Sequence, residues 1–104
     1  MMPNVVVNHS SEIGNHCILN TSSTIDHDCF VNDYVHISPG VNLSGNVSIG
    51  KRSHIGVGTS IIQNITIGND SIIGAGSTVV NEIKPYTVAY GVPAKEKRRV
   101  DNDE

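Results

Sequence analysis

Residues 41–79 read VNLSGNVSIGKRSHIGVGTSIIQNITIGNDSIIGAGSTV, and within them Leu43, Ile49, Ile55, Ile61, Ile67, Ile73 and Val79 recur at intervals of six. Working back from that stretch, the series continues through Ile37, Val31, Ile25, Leu19 and Ile13 to Val7, thirteen branched aliphatics without a break. The residue four places after each is small or β-branched and never charged: Ser11, Cys17, Ser23, Cys29, Val35, Val41, Val47, Ser53, Thr59, Ile65, Ser71, Ser77 and Ile83. The residue directly after the aliphatic is commonly Gly, Asn or Asp, as at Asn8, Gly14, Asn20, Asp26, Asn32, Gly50, Gly56, Gly68 and Gly74. These types tolerate a tight bend, so the turn of each repeat is expected there. A helix repeats its apolar face every 3.6 residues and a strand every two. A period of six is the signature of a parallel β-helix, in which each hexad makes one short strand and a turn.

Three hexads close a triangular coil of 18 residues, so residues 18 apart become vertical neighbours about 4.8 Å apart. The chain then divides into a β-helix domain, residues 1–84, with a little over four coils, and an extension, residues 85–104. Pro85 stops the repeat by removing a ladder donor. The strand-like run Tyr86–Tyr90, the segment Gly91-Val-Pro93-Ala-Lys95, a basic stretch and the acidic DNDE follow. We expect the extension to leave the prism and lie along its side, with DNDE disordered. The register of 18 also gives columns. One holds His9, His27, Gly45 and Gln63, where a glycine above a histidine leaves backbone open to a ligand. Another holds Ile18, His36, His54 and Ile72, where two histidines stack.

The 104 residues include no Trp, one Phe and three Tyr, too few large side chains for an ordinary core. A solenoid avoids that need, because each repeat carries a thin core of its own, and association through its exposed faces adds what a lone coil lacks. The net charge of −3 hides an asymmetry. Residues 1–83 hold Lys51 and Arg52 against six acids, whereas residues 84–100 hold Lys84, Lys95, Lys97, Arg98 and Arg99 against Glu96. A basic run this short reads equally as a solvated face or as a phosphate contact, and carries no nucleic-acid or membrane signal. Cys17 and Cys29 fall twelve residues apart on inward positions of different sides, which favours core filler over a disulfide or metal site. No apolar run reaches membrane-spanning length and MMPNVVV lacks a signal-peptide pattern, so the expected location is cytoplasmic. The Asn-X-Ser/Thr triplets are then a by-product of an Asn- and Ser-rich repeat.

The densest polar cluster is Ile25-Asp26-His27-Asp28-Cys29, followed by Val35-His36-Ile37-Ser38. A histidine flanked by carboxylates can have its tautomer set and its basicity raised, as a general base requires. On spacing alone, an outward histidine of a β-helix is more often plain surface or a subunit contact. Metal ligation is the rival use of the histidines, but neither histidine column shows a third and fourth ligand. Walker loops, nucleophile elbows and dinucleotide fingerprints are absent. Gly56, Gly58, Gly74 and Gly76 fall in the hexad register. Beyond turn geometry, they strip side chains from one end of the prism, where backbone amides could meet a long, thin ligand.

The stretch LNTSSTIDHDCFVNDYVHISPGVNLSGNVSIG, with IGVGTSII, IGAGSTVV and YGVPAK after it, resembles the left-handed β-helix acyltransferases. Within them it is similar to the bacterial sialic-acid and nucleotide-amino-sugar acetyltransferases, over roughly residues 5–99. The resemblance implies an all-β, left-handed coil, an exception to the right-handed crossover rule. It further implies a homotrimer with active sites between neighbouring prisms and acetyl-CoA lying along the groove, with no resident metal. By this resemblance His27 matches the general base. Asp26 and Asp28 stand where the family often has glutamates. His36 matches a second active-site histidine that contacts the thioester carbonyl or the cofactor, and Asn20 a residue near the acceptor. The resemblance also points to the backbone around Gly45, Val57 and Ala75, along one side with Gly76, for coenzyme A. The segment containing Pro93 and Lys95 matches a terminal element near the adenine end. Members of the subgroup usually carry an N-terminal βαβ domain, whereas here the hexads begin almost at residue 1. The sequence therefore reads as a short form or a fragment, and the acceptor rests on the His27 neighbourhood alone.

The leading expectation is an acetyl-CoA-dependent transferase acting on an amine or hydroxyl of a sugar or sugar nucleotide, by direct attack without a covalent acyl carrier. A non-catalytic trimeric scaffold and a γ-carbonic-anhydrase-like zinc enzyme are the alternatives on the same fold.

Overall fold

The structure, a computed structural model, describes residues 5–7 and 10–100. Among them the regular structure is entirely β, wound as a left-handed parallel β-helix. The first coil is β1 (Val6–Val7), β2 (Glu12–Ile13) and β3 (Ile18–Leu19). The second is β4 (Thr24–Ile25), β5 (Phe30–Val31) and β6 (His36–Ile37), and the third is β7 (Asn42–Leu43), β8 (Ser48–Ile49) and β9 (His54–Ile55). The fourth is β10 (Ser60–Ile61), β11 (Thr66–Ile67) and β12 (Ile72–Ile73). β13 (Thr78–Val79) starts a fifth coil, and β14 (Thr87–Gly91) and β15 (Ala94–Arg99) end the chain. Three sheets result: a first side β1-β4-β7-β10-β13, a second side β2-β5-β8-β11 and a third side β3-β6-β9-β12-β14-β15.

Register holds at 18 through four coils, as in Val6↔Thr24, Phe30↔Ser48 and His36↔His54. Each strand places its second residue inward, so the aliphatics from Leu19 to Val79 are at most 4% exposed and form the core. Val7 and Ile13 are half-buried, since among the described residues the first coil is covered from one direction only. The position four residues on is small because it works inside the corner. There the Ser11 hydroxyl donates to the Asp26 carbonyl (2.6 Å), Ser53 to Gly68 (2.8 Å) and Thr59 to Gly74 (3.1 Å), each fifteen residues ahead. These bonds satisfy turn carbonyls that the ladders leave over. A larger side chain would not fit the corner, and a charged one would be desolvated.

The bend does not sit where the Gly, Asn and Asp residues suggested. Left-handed φ occurs three residues after each aliphatic from Val7 to Ile73, at Ser10 (62°), His16 (57°), Ser22 (61°), Asp28 (57°), Tyr34 (61°) and Gly40 (73°), and so on up the stack. The position directly after the aliphatic favours glycine for another reason. A Cβ on Gly56 would lie 2.6 Å from the Ala75 nitrogen and 2.7 Å from the Ile73 oxygen, inside the backbone of the next coil.

The C-terminal extension also departs from expectation. After Val79 the corner is two residues short: Ile83 bridges to Ile67, and Val88 pairs with Ile72, both sixteen residues apart. Ile83 therefore takes the aliphatic position, and Tyr86, three residues later, has the left-handed φ of 59°. Instead of leaving the prism, β14 completes a fifth coil. β15 then turns back through a cis Val92-Pro93 bond to pair antiparallel with β14. The stack is five coils high, not a little over four.

Candidate active site

Three corners join the sides, and the first, between the first and second sides, carries His27. Its backbone N–H donates to Asp26 Oδ1 (2.7 Å), and its ring Nδ1–H donates to Asp28 Oδ2 (3.3 Å). Asp28 reaches back to the ring because its own backbone is left-handed, with φ 57°. The imidazole is more than half exposed and lies over Gly45, whose missing Cβ would stand 2.8 Å from His27 Cε1 and 3.0 Å from Nε2. The register of 18 thus places Gly45 above His27, but the space above this glycine is filled by the imidazole itself. With Nδ1 committed to Asp28, Nε2 is the basic nitrogen, and it has no hydrogen-bond partner among the described residues. A cavity of about 310 Å³ opens beside it, lined by Asp26, Ser44, Asn46, Gln63 and Asn64 as well as His27 and Gly45. Asn46 Nδ2 donates to Asn64 Oδ1 across it (2.9 Å). Sequence reasoning missed Asn46 and Asn64, although their spacing of 18 marks them as one column. His9, in the column of His27, lies outside the described residues.

Two other histidines, His36 and His54, lie on the outer face of the third side. His36 and His54 occupy paired rungs of β6 and β9 with ring centroids 4.4 Å apart and planes 27° from parallel. Asn20 Nδ2 donates to His36 Nε2 (2.9 Å), so the proton of the neutral ring is on Nδ1. Ser38 Oγ bonds His54 Nε2 (3.2 Å). Burial, and secondarily His36, pushes the His54 pKa below the ordinary histidine value. Among the described residues, no three His, Cys, Asp or Glu side chains converge as metal ligands do.

Asn20 begins the third corner, between the third and first sides, which also carries Val57, Ala75 and Gly76. Val57 and Ala75 are exposed, and beyond Gly58 and Gly76 there is open space, so this edge presents accessible backbone. The expected single line through Gly45, Val57 and Ala75 is not found. Gly45 belongs to the first corner, because an offset of twelve residues is two thirds of a coil. One prism therefore brings His27, Asp26, Asp28 and Gly45 together, and Asn20 with His36, but separates the two groups by the whole first side.

Pro93 and Lys95 are exposed in and beside β15, and Lys95 lines a cavity of about 230 Å³ with Asn81, Glu82, Lys84 and Glu96. Lys97 Nζ stands 5.2 Å from the centre of the Tyr90 ring. Cys29 is buried, and that burial pushes its thiol up, away from the reactive thiolate. Cys17, expected inside, is half-buried in the first coil and donates Sγ–H to the Asn32 carbonyl (2.8 Å). No helix long and apolar enough to cross a membrane occurs among the described residues.

Residues 46–81 match the family model described as bacterial transferase hexapeptide (six repeats). The chain is 36% identical to a histidine-to-asparagine mutant of perosamine N-acetyltransferase from Caulobacter crescentus, solved with CoA and GDP-perosamine. The match covers 92% of this chain and 54% of that one, with a TM-score of 0.86. It is 35% identical to the acetyltransferase domain of PglB from Neisseria gonorrhoeae in complex with acetyl coenzyme A, over 91% of this chain and 55% of that one (TM-score 0.83). A serine acetyltransferase from Neisseria gonorrhoeae is 30% identical over 95% of this chain and 43% of its own (TM-score 0.89). The chain spans about half the length of these proteins.

Proposed function

Because this chain belongs to the bacterial hexapeptide-repeat transferases, we propose that it moves an acetyl group from acetyl-CoA to an amine or hydroxyl of a sugar or sugar nucleotide. The observation that carries this reading is the state of His27: one nitrogen is held by Asp28, the ring is seated on Gly45 and lines a polar cavity, and Nε2 has no hydrogen-bond partner among the described residues. In the step proposed, the acceptor nitrogen or oxygen attacks the thioester carbonyl while its proton passes to Nε2. Collapse of the tetrahedral intermediate breaks the C–S bond, and the thiolate recovers that proton from His27 to leave as free coenzyme A. Asp28 stabilises the imidazolium in between, and Asp26 fixes the backbone that carries it.

Neutral His36, with Nδ1–H directed outward, is suited to donate to the carbonyl oxygen as negative charge develops there. It lies on the third side, so it reaches the first corner only of a second copy. A homotrimer supplies that neighbour, and Asn20, Val57, Ala75 and Gly76 come with it as the acceptor-side and coenzyme-side wall. Pro93 and Lys95 then border the far end of the groove, where a cation meets phosphates. A thioester cosubstrate of this kind agrees with a cytoplasmic location.

His27→Ala is the test. With an amino-sugar acceptor, turnover should fall by roughly 10²–10⁴, the usual worth of a general base. Coenzyme A should still raise the melting temperature of the variant, since a ligand of the folded state stabilises by mass action. Unchanged turnover removes His27 from the mechanism. The absence of a coenzyme A shift in the unmutated protein favours the scaffold.

A further inference from the structure

We propose that His54 is a positioning residue for His36: stacked on it from the next coil, it holds the ring so that Nε2 accepts from Asn20 and Nδ1–H is presented outward as a neutral donor. The inference rests on the reading of His36 above and deepens it, and it stands on three features of the third side. The two rings occupy in-register rungs, at 4.4 Å and 27°, so rotation of either about its χ angles would lose the shared face. Each is tied at Nε2 on the same edge, His36 by Asn20 at 2.9 Å and His54 by Ser38 at 3.2 Å, so both Nδ1 atoms point away from those anchors. The outward residues above and below are Ile72 and Ile18, on β12 and β3, so no charged group from the neighbouring strands faces the pair.

That arrangement disfavours an imidazolium at either position. Protonating His36 at Nε2 would set two donors, the ring N–H and the Asn20 amide, against each other. An oxyanion needs a donor that is pre-oriented, and His54 supplies the orientation without touching the reacting atoms.

The test separates this inference from the reading it rests on, because its first readout needs no substrate. In ¹⁵N-labelled protein, imidazole resonances assigned by His36→Gln should show His36 as the Nδ1–H tautomer. In His54→Ala that tautomer should become mixed. His54→Phe, which restores a stacking ring that cannot be charged, should return the tautomer. With acetyl-CoA and an amino sugar, His54→Ala should lower kcat about tenfold at an unchanged KM for coenzyme A. An unaltered His36 tautomer in His54→Ala overturns the positioning role. A changed tautomer with unaltered turnover supports the positioning and overturns the assignment of His36 to the reaction.

Discussion

The first and second corners of the prism have the same backbone and opposite chemistry. Both turn through a left-handed residue, Asp28 (57°) and Asn46 (60°) on the first, Tyr34 (61°) and Arg52 (59°) on the second. On the second corner the column pairs with itself. His16 stacks on Tyr34 at 5.2 Å and 14°, and Arg52 forks onto Asp70 at 2.7 and 2.8 Å. On the first corner Asn46 pairs with Asn64 and Asp28 with His27, which leaves His27 Nε2 over. Reactivity here is hydrogen-bonding capacity that the vertical neighbour does not use. Above His27 that neighbour is a glycine.

Gly45 is therefore the place to break the contrast. In Gly45→Ala the new methyl would stand 2.8 Å from His27 Cε1, and the exposed ring is free to swing aside. Turnover should fall roughly a hundredfold, since misplacing a catalytic group by about an ångström costs that much, while stability changes little. Gly56→Ala puts the same methyl against backbone that cannot move away, and should lower the urea-unfolding free energy by about 1–3 kcal/mol. If both variants lose stability equally, the seating of His27 on Gly45 has no catalytic meaning.

Asp28→Asn sharpens the comparison one step further. Asn also adopts a left-handed φ, so the corner should survive, but the charge proposed to stabilise a His27 imidazolium is gone. A loss of about tenfold in kcat/KM is expected, and an unaltered value would remove Asp28 from the site.

The smallest effect belongs to the second corner. The hydrogen bond from Arg52 holds the Asp70 carboxyl below the usual carboxylate range. A carboxyl with a lower pKa folded than unfolded contributes stability above roughly pH 4, lost as pH falls through the folded value. Arg52→Ala should then melt slightly below the parent protein at neutral pH and level with it in strong acid, with turnover untouched. The pair is exposed, so the difference is small. A gap that persists at low pH would mean that packing, not charge, was lost.

Much of the prism is legible in the chain because a parallel in-register stack makes each residue's neighbour a fixed count away. His27 with Gly45, His36 with His54 and the buried aliphatics all follow from counting. The misreadings share a cause. Glycine after the aliphatic suggested the bend, but the bend is three residues on, and glycine is there for clearance from the next coil. Ile83 is acceptable as either an inward aliphatic or a corner residue, and only its partner Ile67 decides. Cys17 has an inward address in the repeat, yet among the described residues the first coil is covered on one side only.

The sequence by itself determined the fold, the inward face, the register of 18 and the columns in which polar side chains meet, because each depends on periodicity alone. Only the tertiary structure decided how those columns are used: that Asp28 takes Nδ1 of His27 and that Asn20 takes Nε2 of His36. Hydrogen-bond direction, ring orientation and the angle between sides are set by backbone geometry in three dimensions, and a repeat read along one dimension carries no information about them.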